Sequence, residues 1–514
     1  MSDWFRNNTV WVALILYSIL WLLLHPSLGF LLDSDAVAYL TIAHRAADGE
    51  WFKSINGLWS PLNSWLLITF IKLGFDSWLM AKVINALFGA LLLILSHRFF
   101  LRLVLPIRWL KFLTFTLVPI LVFYSYFQMF GDVLMLVFTM GYILVILTKD
   151  FVDSKKLVAA AALLMGVAYY AKSYALVLYC LHITFLYAVS IYQNRSKRKA
   201  LFINYFLGIG IIFLLVLPRT YQIYIKYDVV SLTGLSGKLN MSWHINSGKT
   251  FKKDIRLIVP PAYDDSPSFW EDPSLSHGEM STPFDSFHNL GRWVLRVGYN
   301  CFLLLKSYLL ISIFSLVLIV LLIYDGFQSK KIEQLRLKLL SLLLLMPIGY
   351  LAIVVETRYI WLSTFLLMAL GVNFAISRFN TENLQKVLIV FCLSFLIYPC
   401  YMLFDLQYKN KNLFDLANEL KSKKVHGKIV SNINDEGSLW VVSYLAELQN
   451  YTIEHPEYNF SELSAEMKRY NIRQYLHFKN EGGTYKVTDS NFKSTMRLLA
   501  EIPEHNATLY ELHD

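Results

Sequence analysis

KFLTFTLVPILVFYSYFQMFGDVLMLVFTMGYILVILTK, residues 111–149, carries no formal charge between its terminal lysines except Asp132. As one helix it would reach roughly 55 Å, nearly twice the hydrocarbon thickness of a bilayer, so it is expected to cross twice and turn near Asp132. The pattern recurs. Between Lys156 and Arg195 the one interior charge is Lys172, and between Lys338 and Arg378 the interior charges are Glu356 and Arg358. Basic residues at the ends of all three stretches place those ends on the cytoplasmic side, which puts the three turns on the opposite face. Ionisable groups at such depth are expensive and are usually functional. Asp132, Lys172, Glu356 and Arg358 are therefore expected to meet in a site.

Composition supports a membrane chain. Of 514 residues, 56% are hydrophobic and 16% aromatic, and the mean hydropathy of +0.46 excludes both disorder and an ordinary soluble globule. The net charge of +10 sits in short loops, for example Arg98/Arg102/Arg108/Lys111, Lys149/Lys155/Lys156, Arg195/Lys197/Arg198/Lys199 and Lys330/Lys331/Arg336/Lys338. That is the positive-inside pattern, and it argues against a nucleic-acid partner. Cys180, Cys301, Cys392 and Cys400 fall in or at apolar spans without metal-ligand spacing and read as packing residues. The run from Val10 to Leu32 is too long for a signal-peptide core and reads as a retained anchor.

Alternation from a cytoplasmic N-terminus gives an α-helical polytopic membrane protein with about eleven spans. They are expected near 10–31, 78–97, 110–127, 132–148, 157–171, 174–192, 200–218, 301–323, 339–355, 359–377 and 387–404. Residues 1–404 form the membrane domain, with long outer loops at 32–77 and 219–300. In the first loop, Pro61 to Leu73 is expected to lie along the interface. The second lacks strong helical periodicity and reads as a lid or binding loop. Residues 405–514 turn soluble and are expected to form a small extracytoplasmic α/β domain. Its helices are expected at Leu413–Lys424, Ser438–Gln449 and Ser461–Tyr470, and its strands at Lys428–Ser431, Tyr475–Phe478 and Thr508–Leu512. With no Gly-rich phosphate loop, it reads as a cap or docking domain.

Directly after the first span comes Asp33-Ser34-Asp35-Ala36-Val37-Ala38-Tyr39. Two carboxylates at this depth could hold a cation or accept a proton from an incoming hydroxyl; the blander reading is a helix cap. Asp132 has the same capping alternative, Lys172 could merely snorkel, and Arg358 could pair with Glu356 inside its own turn. Arg358 can also grip a phosphate with two prongs. Carboxylates to activate a nucleophile and cations for a leaving anion, gathered at one membrane face, suit group transfer from a lipid-linked phosphate.

These residues resemble the GT-C superfamily of membrane glycosyltransferases that use polyprenyl-phosphate sugars, in the branch of protein O-mannosyltransferases and the lipid A aminoarabinose transferase. Asp35-Ala36-Val37-Ala38-Tyr39 with Ile42-Ala43 and Gly49 is similar to the first-loop pattern. Trp59-Ser60-Pro61-Leu62 resembles the start of the interfacial helix. Gly166 to Lys172 resembles a Gly…Thr-Lys element, and Glu356-Thr357-Arg358-Tyr359 an Arg-Tyr motif at the start of a late span. The resemblance implies Asp35 as base or metal-proximal acid, Asp132 as a second acid, and Lys172 and Arg358 on the donor phosphate. Asp33, Tyr39, Glu356 and Tyr359 would support them. Ser60 stands where the aminoarabinose transferase has a Lys. Asp33-Ser34-Asp35 also resembles the acidic metal motif of oligosaccharyltransferases, which leaves a divalent ion on Asp33 and Asp35 open.

The expectation is thus an inner-membrane enzyme moving one sugar from a polyprenyl-phosphate donor to a glycan, lipid or protein acceptor on the outer face. Trp270 or Trp243 could stack on the sugar or anchor at the interface. One rival is a glycan polymerase or ligase of the O-antigen type, using Arg256, Arg292, Arg296, His244, His277 and His288 of the second loop. A rival from another class is a lipid-linked-sugar flippase or transporter, against which the absence of a long internal repeat counts mildly.

Overall fold

The computed structural model describes residues 2–127, 131–246, 257–275, 280–328, 334–378, 384–433, 436–453, 457–479, 486–487 and 495–513. Arg256, His277, Lys330 and Lys331 lie outside the described residues. The chain is a polytopic helical membrane protein with a small α/β domain at its C-terminal end. Eight helices among the described residues are long and apolar enough to cross a membrane: Asn8–Leu28, Ser77–Arg102, Ile107–Phe127, Tyr174–Gln193, Arg195–Tyr227, Phe287–Ile311, Gln334–Leu351 and Leu384–Asp405. Shorter helices, Gly131–Ile146, Lys155–Ala171 and Leu362–Arg378, pack among them. The last of these is buried from Leu362 to Val372 and is surrounded by protein.

Several expected spans are interrupted, each for a local reason. The span at 301–323 is two helices, Phe287–Ile311 and Ser315–Gln328, because Ser312 is extended at φ −162°. The span at 387–404 breaks between Ser394 and Ile397. Pro399 there has no N–H to offer the carbonyl four residues back. The two breaks meet, with the Ser312 and Ser394 hydroxyls 2.5 Å apart, so polar atoms freed inside the bundle satisfy each other. Conversely, the span expected to stop at 218 runs on to Tyr227 through Pro218, because Arg219, Thr220 and Ile223 beyond it are buried against neighbours. The second loop therefore starts later than expected and also contains a helix, Ser236–Ile245.

The strands are β1 (Ile258–Val259), β2 (Gly427–Ser431), β3 (Leu448–Ile453), β4 (Glu457–Tyr458), β5 (Gln474–Phe478), β6 (Lys486–Val487), β7 (Met496–Ile502) and β8 (Ala507–Leu512). Six form one sheet in the order β1-β3-β2-β5-β8-β7, and β4 pairs with β6. Alternation along the strands makes two cores. Ile429 and Leu476 face helices Lys411–Ser422 and Glu436–Ala446, whereas Val430 and Tyr475 face helix Phe460–Arg469. The helix expected at Ser438–Gln449 ends at Ala446, and the next residues become β3, because Tyr451 and Ile453 are needed in the sheet core.

Two ties fasten this domain to the rest. β1 belongs to the second loop, yet it pairs antiparallel with β3, Ile258 against Ile453. Helix Glu436–Ala446 turns Val441 onto Val37 and Leu40 of the first loop, and Tyr444 Oη lies 3.1 Å from Ser77 Oγ. Ile258 is 1% exposed, packed among Val430, Phe460 and Tyr475. Ile258→Ala should cost about 3 kcal/mol at this joint. Denaturant unfolding together with trypsin susceptibility of residues 405–514 will measure it; an unchanged midpoint would mean β1 is not part of the sheet.

Candidate active site

The first acidic pair is split by the helix that it starts. Asp33 is the N-cap of Ser34–Ala47, and its Oδ1 accepts from Ala36 N at 2.8 Å. Asp35 lies in the first turn, where the helix N-terminus favours negative charge, and it faces a cavity. Its Oδ1 accepts from Trp270 Nε1 at 3.0 Å. Burial pushes the Asp35 carboxyl above its ordinary range, while the Trp270 N–H and the charges of Arg358 and Lys172 pull it back. Burial, with Asp35 beside it, likewise raises Asp33.

The tips of the three hairpins close around Asp132, which is 5% exposed. Its Oδ1 is ion-paired with the Lys172 ammonium, and its Oδ2 is 3.9 Å from Arg358 Nη1. The tips come this close because position 131 is glycine. A Cβ there would stand 1.8 Å from the Ala171 carbonyl oxygen. Lys172 is the C-cap of helix Lys155–Ala171, where the exposed carbonyl ends favour a cation. Its Nζ lies 4.0 Å over the Tyr359 ring. Below it, Tyr359 stacks on Tyr350 at 4.4 Å and Tyr350 on Tyr174 at 3.7 Å, tying the second and third hairpins together. Burial lowers Lys172 from its usual value, with Arg358 adding to that and Asp132 opposing it. Arg358 Nη2 donates to Glu356 Oε1 at 3.3 Å and its Nε lies 2.7 Å from Glu356 Oε2, and Tyr359 Oη donates to Glu356 Oε1 at 3.0 Å.

A third wall comes from the first loop. Asn56 Oδ1 accepts from Leu58 N and Trp59 N, and the buried Arg219 guanidinium grips the carbonyls of Asn56 and Trp59. Ser60 so placed accepts from Ser173 N at 3.2 Å. The resulting cavity, about 190 Å³, is lined by Asp35, Tyr39, Asp132, Lys172, Glu356, Arg358 and Tyr359, seven of the eight singled-out residues. The eighth, Asp33, does not line it. Trp243 is also absent from the walls, whereas Trp270 is there as a partner of Asp35. No spacing in the sequence could pair Trp270 with Asp35, 235 residues away.

The residues fit a divalent ion poorly. Among the described residues no group of three or more His, Cys, Asp or Glu side chains gathers. Asp132 Oδ2 is buried and has no hydrogen-bond partner, but its neighbours are cations. Asp33 and Asp35 each already have a donor and supply too few oxygens alone.

No family model and no curated protein matches this sequence. Solved structures do. The chain superposes on an oligosaccharyltransferase from Archaeoglobus fulgidus, solved with Zn and sulfate, with a TM-score of 0.53 at 12% identity over 91% of this chain and 68% of that one. The archaeal oligosaccharyltransferase AglB from Archaeoglobus fulgidus, in complex with an inhibitory peptide and a dolichol-phosphate, gives a TM-score of 0.59 at 12% identity over 93% and 69%. The apo form of the Archaeoglobus fulgidus enzyme gives 0.55 at 12% identity over 92% and 69%. At this identity the likeness is one of fold.

Gly131→Ala should drive the first two hairpin tips apart, since backbone rather than a flexible side chain blocks the new Cβ. A loss of about 1–3 kcal/mol is expected, with the Asp132–Lys172 pair opened. Thermal unfolding of the purified variant will read the loss; wild-type stability would show that the tips are not in contact.

Proposed function

We propose that the chain is a membrane glycosyltransferase that moves one sugar from a polyprenyl-phosphate donor to an acceptor. It would work on the extracytoplasmic face of the inner (plasma) membrane. The observation that carries this reading is a single cavity, at the end of the bundle away from the basic loops, holding a buried carboxylate opposite two cations. Asp35 accepts the acceptor's proton as the nucleophile attacks the anomeric carbon. The bond from that carbon to the phosphate oxygen breaks, and its electron pair leaves with the polyprenyl phosphate. Displacement from the opposite side inverts the anomeric centre.

Asp132 takes the role of anchor rather than base, because its Oδ1 is already occupied by the Lys172 ammonium. It keeps Lys172 and Arg358 on the wall, where their charges outnumber its own and stabilise the departing phosphate. A well-placed donor of this kind contributes roughly 100- to 1000-fold in rate. The raised Asp35 carboxyl suits proton transfer nearer neutral pH than an ordinary aspartate would. No step is routed through a metal.

Cavity size favours one sugar ring over an oligosaccharide, since 190 Å³ lies below the usual range for drug-sized ligands. A lipid-phosphate donor is in keeping with the dolichol-phosphate held by AglB, and a protein acceptor with the acceptor peptide tethered to the Archaeoglobus fulgidus enzyme in another structure. The polymerase or ligase reading is weakened because Arg292, Arg296, His244 and His288 are absent from the cavity walls. Arg292 is occupied with the carbonyl of Ile245. A flippase needs an alternating path, and the paired charges here sit at closed hairpin tips.

Purified protein should transfer labelled sugar from a short-chain prenyl-phosphate donor without an energy source. Asp35→Asn should remove at least 100-fold of that turnover while insertion and thermal stability persist. Undiminished turnover would refute the assignment of the base.

A further inference from the structure

The loop turn Phe269–Glu271 carries Trp270, whose indole meets Asp35, Trp59 and Trp440 as well as the neighbouring Phe269 ring. Its Nε1 donates to Asp35 Oδ1 at 3.0 Å. One side meets the Trp59 ring edge-on at 6.0 Å. The other stacks on Trp440 of the C-terminal domain, with ring centroids 5.1 Å apart and planes inclined by 18°. Trp440 is itself held. It is 6% exposed, its Nε1 donates to Thr452 Oγ1 of β3 at 3.2 Å, and Phe269 packs edge-on against it at 5.2 Å.

The backbone of the turn is fixed from both sides. Asn450 of β3 donates its N–H to the Pro267 carbonyl at 2.9 Å. On the membrane side, Asn56 Nδ2 donates to the Glu271 carbonyl at 2.7 Å, Arg45 is ion-paired with Glu271, and Lys226 with Asp272 at 2.8 Å. The polar clamps settle where the turn lies. They leave the indole free to rotate about its own side-chain bonds, and the aromatic contacts are what fix its plane. An indole swung out of that plane would lose Asp35, because hydrogen bonds weaken steeply with angle.

We propose that Trp440 is a positioning residue for sugar transfer: by stacking on Trp270 it aims the indole N–H that orients the Asp35 carboxylate in the cavity. This rests on the glycosyltransferase reading above and gives the trailing domain a part in the reaction. Asp35 must present one oxygen to the acceptor hydroxyl while the other is occupied, and a misplacement of about 1 Å in such a geometry costs on the order of 100-fold. Trp59 and Phe269 meet the indole edge-on, and Trp440 alone stacks on its face, so losing either tryptophan of the stacked pair breaks the aim on Asp35.

The test uses the full chain in detergent or vesicles with a prenyl-phosphate sugar. Trp440→Ala should lower kcat roughly 10- to 100-fold with KM for the donor unchanged. Trp440→Phe, which keeps an aromatic face, should restore most of it. Trp270→Phe should match Trp440→Ala, and the double variant should be no worse than either. Independently of activity, the stacked indole pair should give an exciton couplet in the circular dichroism of the wild type, lost on either substitution. Wild-type kcat in Trp440→Ala, or losses that multiply in the double variant, would overturn the positioning role while leaving sugar transfer standing. A wild type without the couplet would overturn it at the level of the contact. A wild type with the couplet but no transfer would remove the proposed reaction, and the positioning role with it.

Discussion

The structure depends most on the ion pair between Asp132 and Lys172, made at the point where two helix ends touch through Gly131. Buried pairs contribute little net stability, yet stripping one partner leaves a charge whose cost is about 3–5 kcal/mol. The pair therefore behaves as a latch. It holds the first two hairpins at one depth, and Arg358 joins the third. The tyrosine stack beneath Lys172 continues the latch with apolar area rather than charge. A site of this kind is built by the bundle closing on it.

Against this cationic side stands Asp35, carried by a helix that the membrane spans do not include. Its Oδ1 accepts from Trp270, which stacks on Trp440 of the C-terminal domain. The two sides of the cavity thus rest on different supports. Lys172 and Arg358 are held within the bundle, and Asp35 is held from the soluble layer. β1 crosses from the second loop into the C-terminal sheet and makes loop and domain one body, although composition alone separates them.

The site was readable to the extent that membrane energetics makes charges rare. Asp132, Lys172, Glu356 and Arg358 stand out in the sequence because they interrupt apolar runs, and Asp35 because it follows one. Trp270 reads from the sequence only as a ring to stack on sugar or anchor at the interface, Ser60 only as part of a short motif, and Arg219 not at all. Tryptophan, serine and arginine in loops have many ordinary uses, and their partners lie in distant parts of the chain. Lys82 escaped notice as well. It is 1% exposed inside a span, with its Nζ donating to the Leu28 carbonyl and lying over the Trp78 ring. Such a lysine is satisfied by the end of a neighbouring helix, which no linear pattern displays.

Sequence by itself determined that the chain is a helical membrane protein with a soluble α/β end, and which charges lie at turns between spans. Hydrophobic length and charge placement follow from the bilayer as solvent, so they are legible one residue at a time. Tertiary structure alone decided where spans break, that Asp132 is occupied by Lys172, and that the second loop lends a strand to the last domain. It also decided that Asp35 answers to Trp270. Each of these is a contact between segments far apart in the chain, settled by packing and by which polar groups remain to be satisfied once the helices have met.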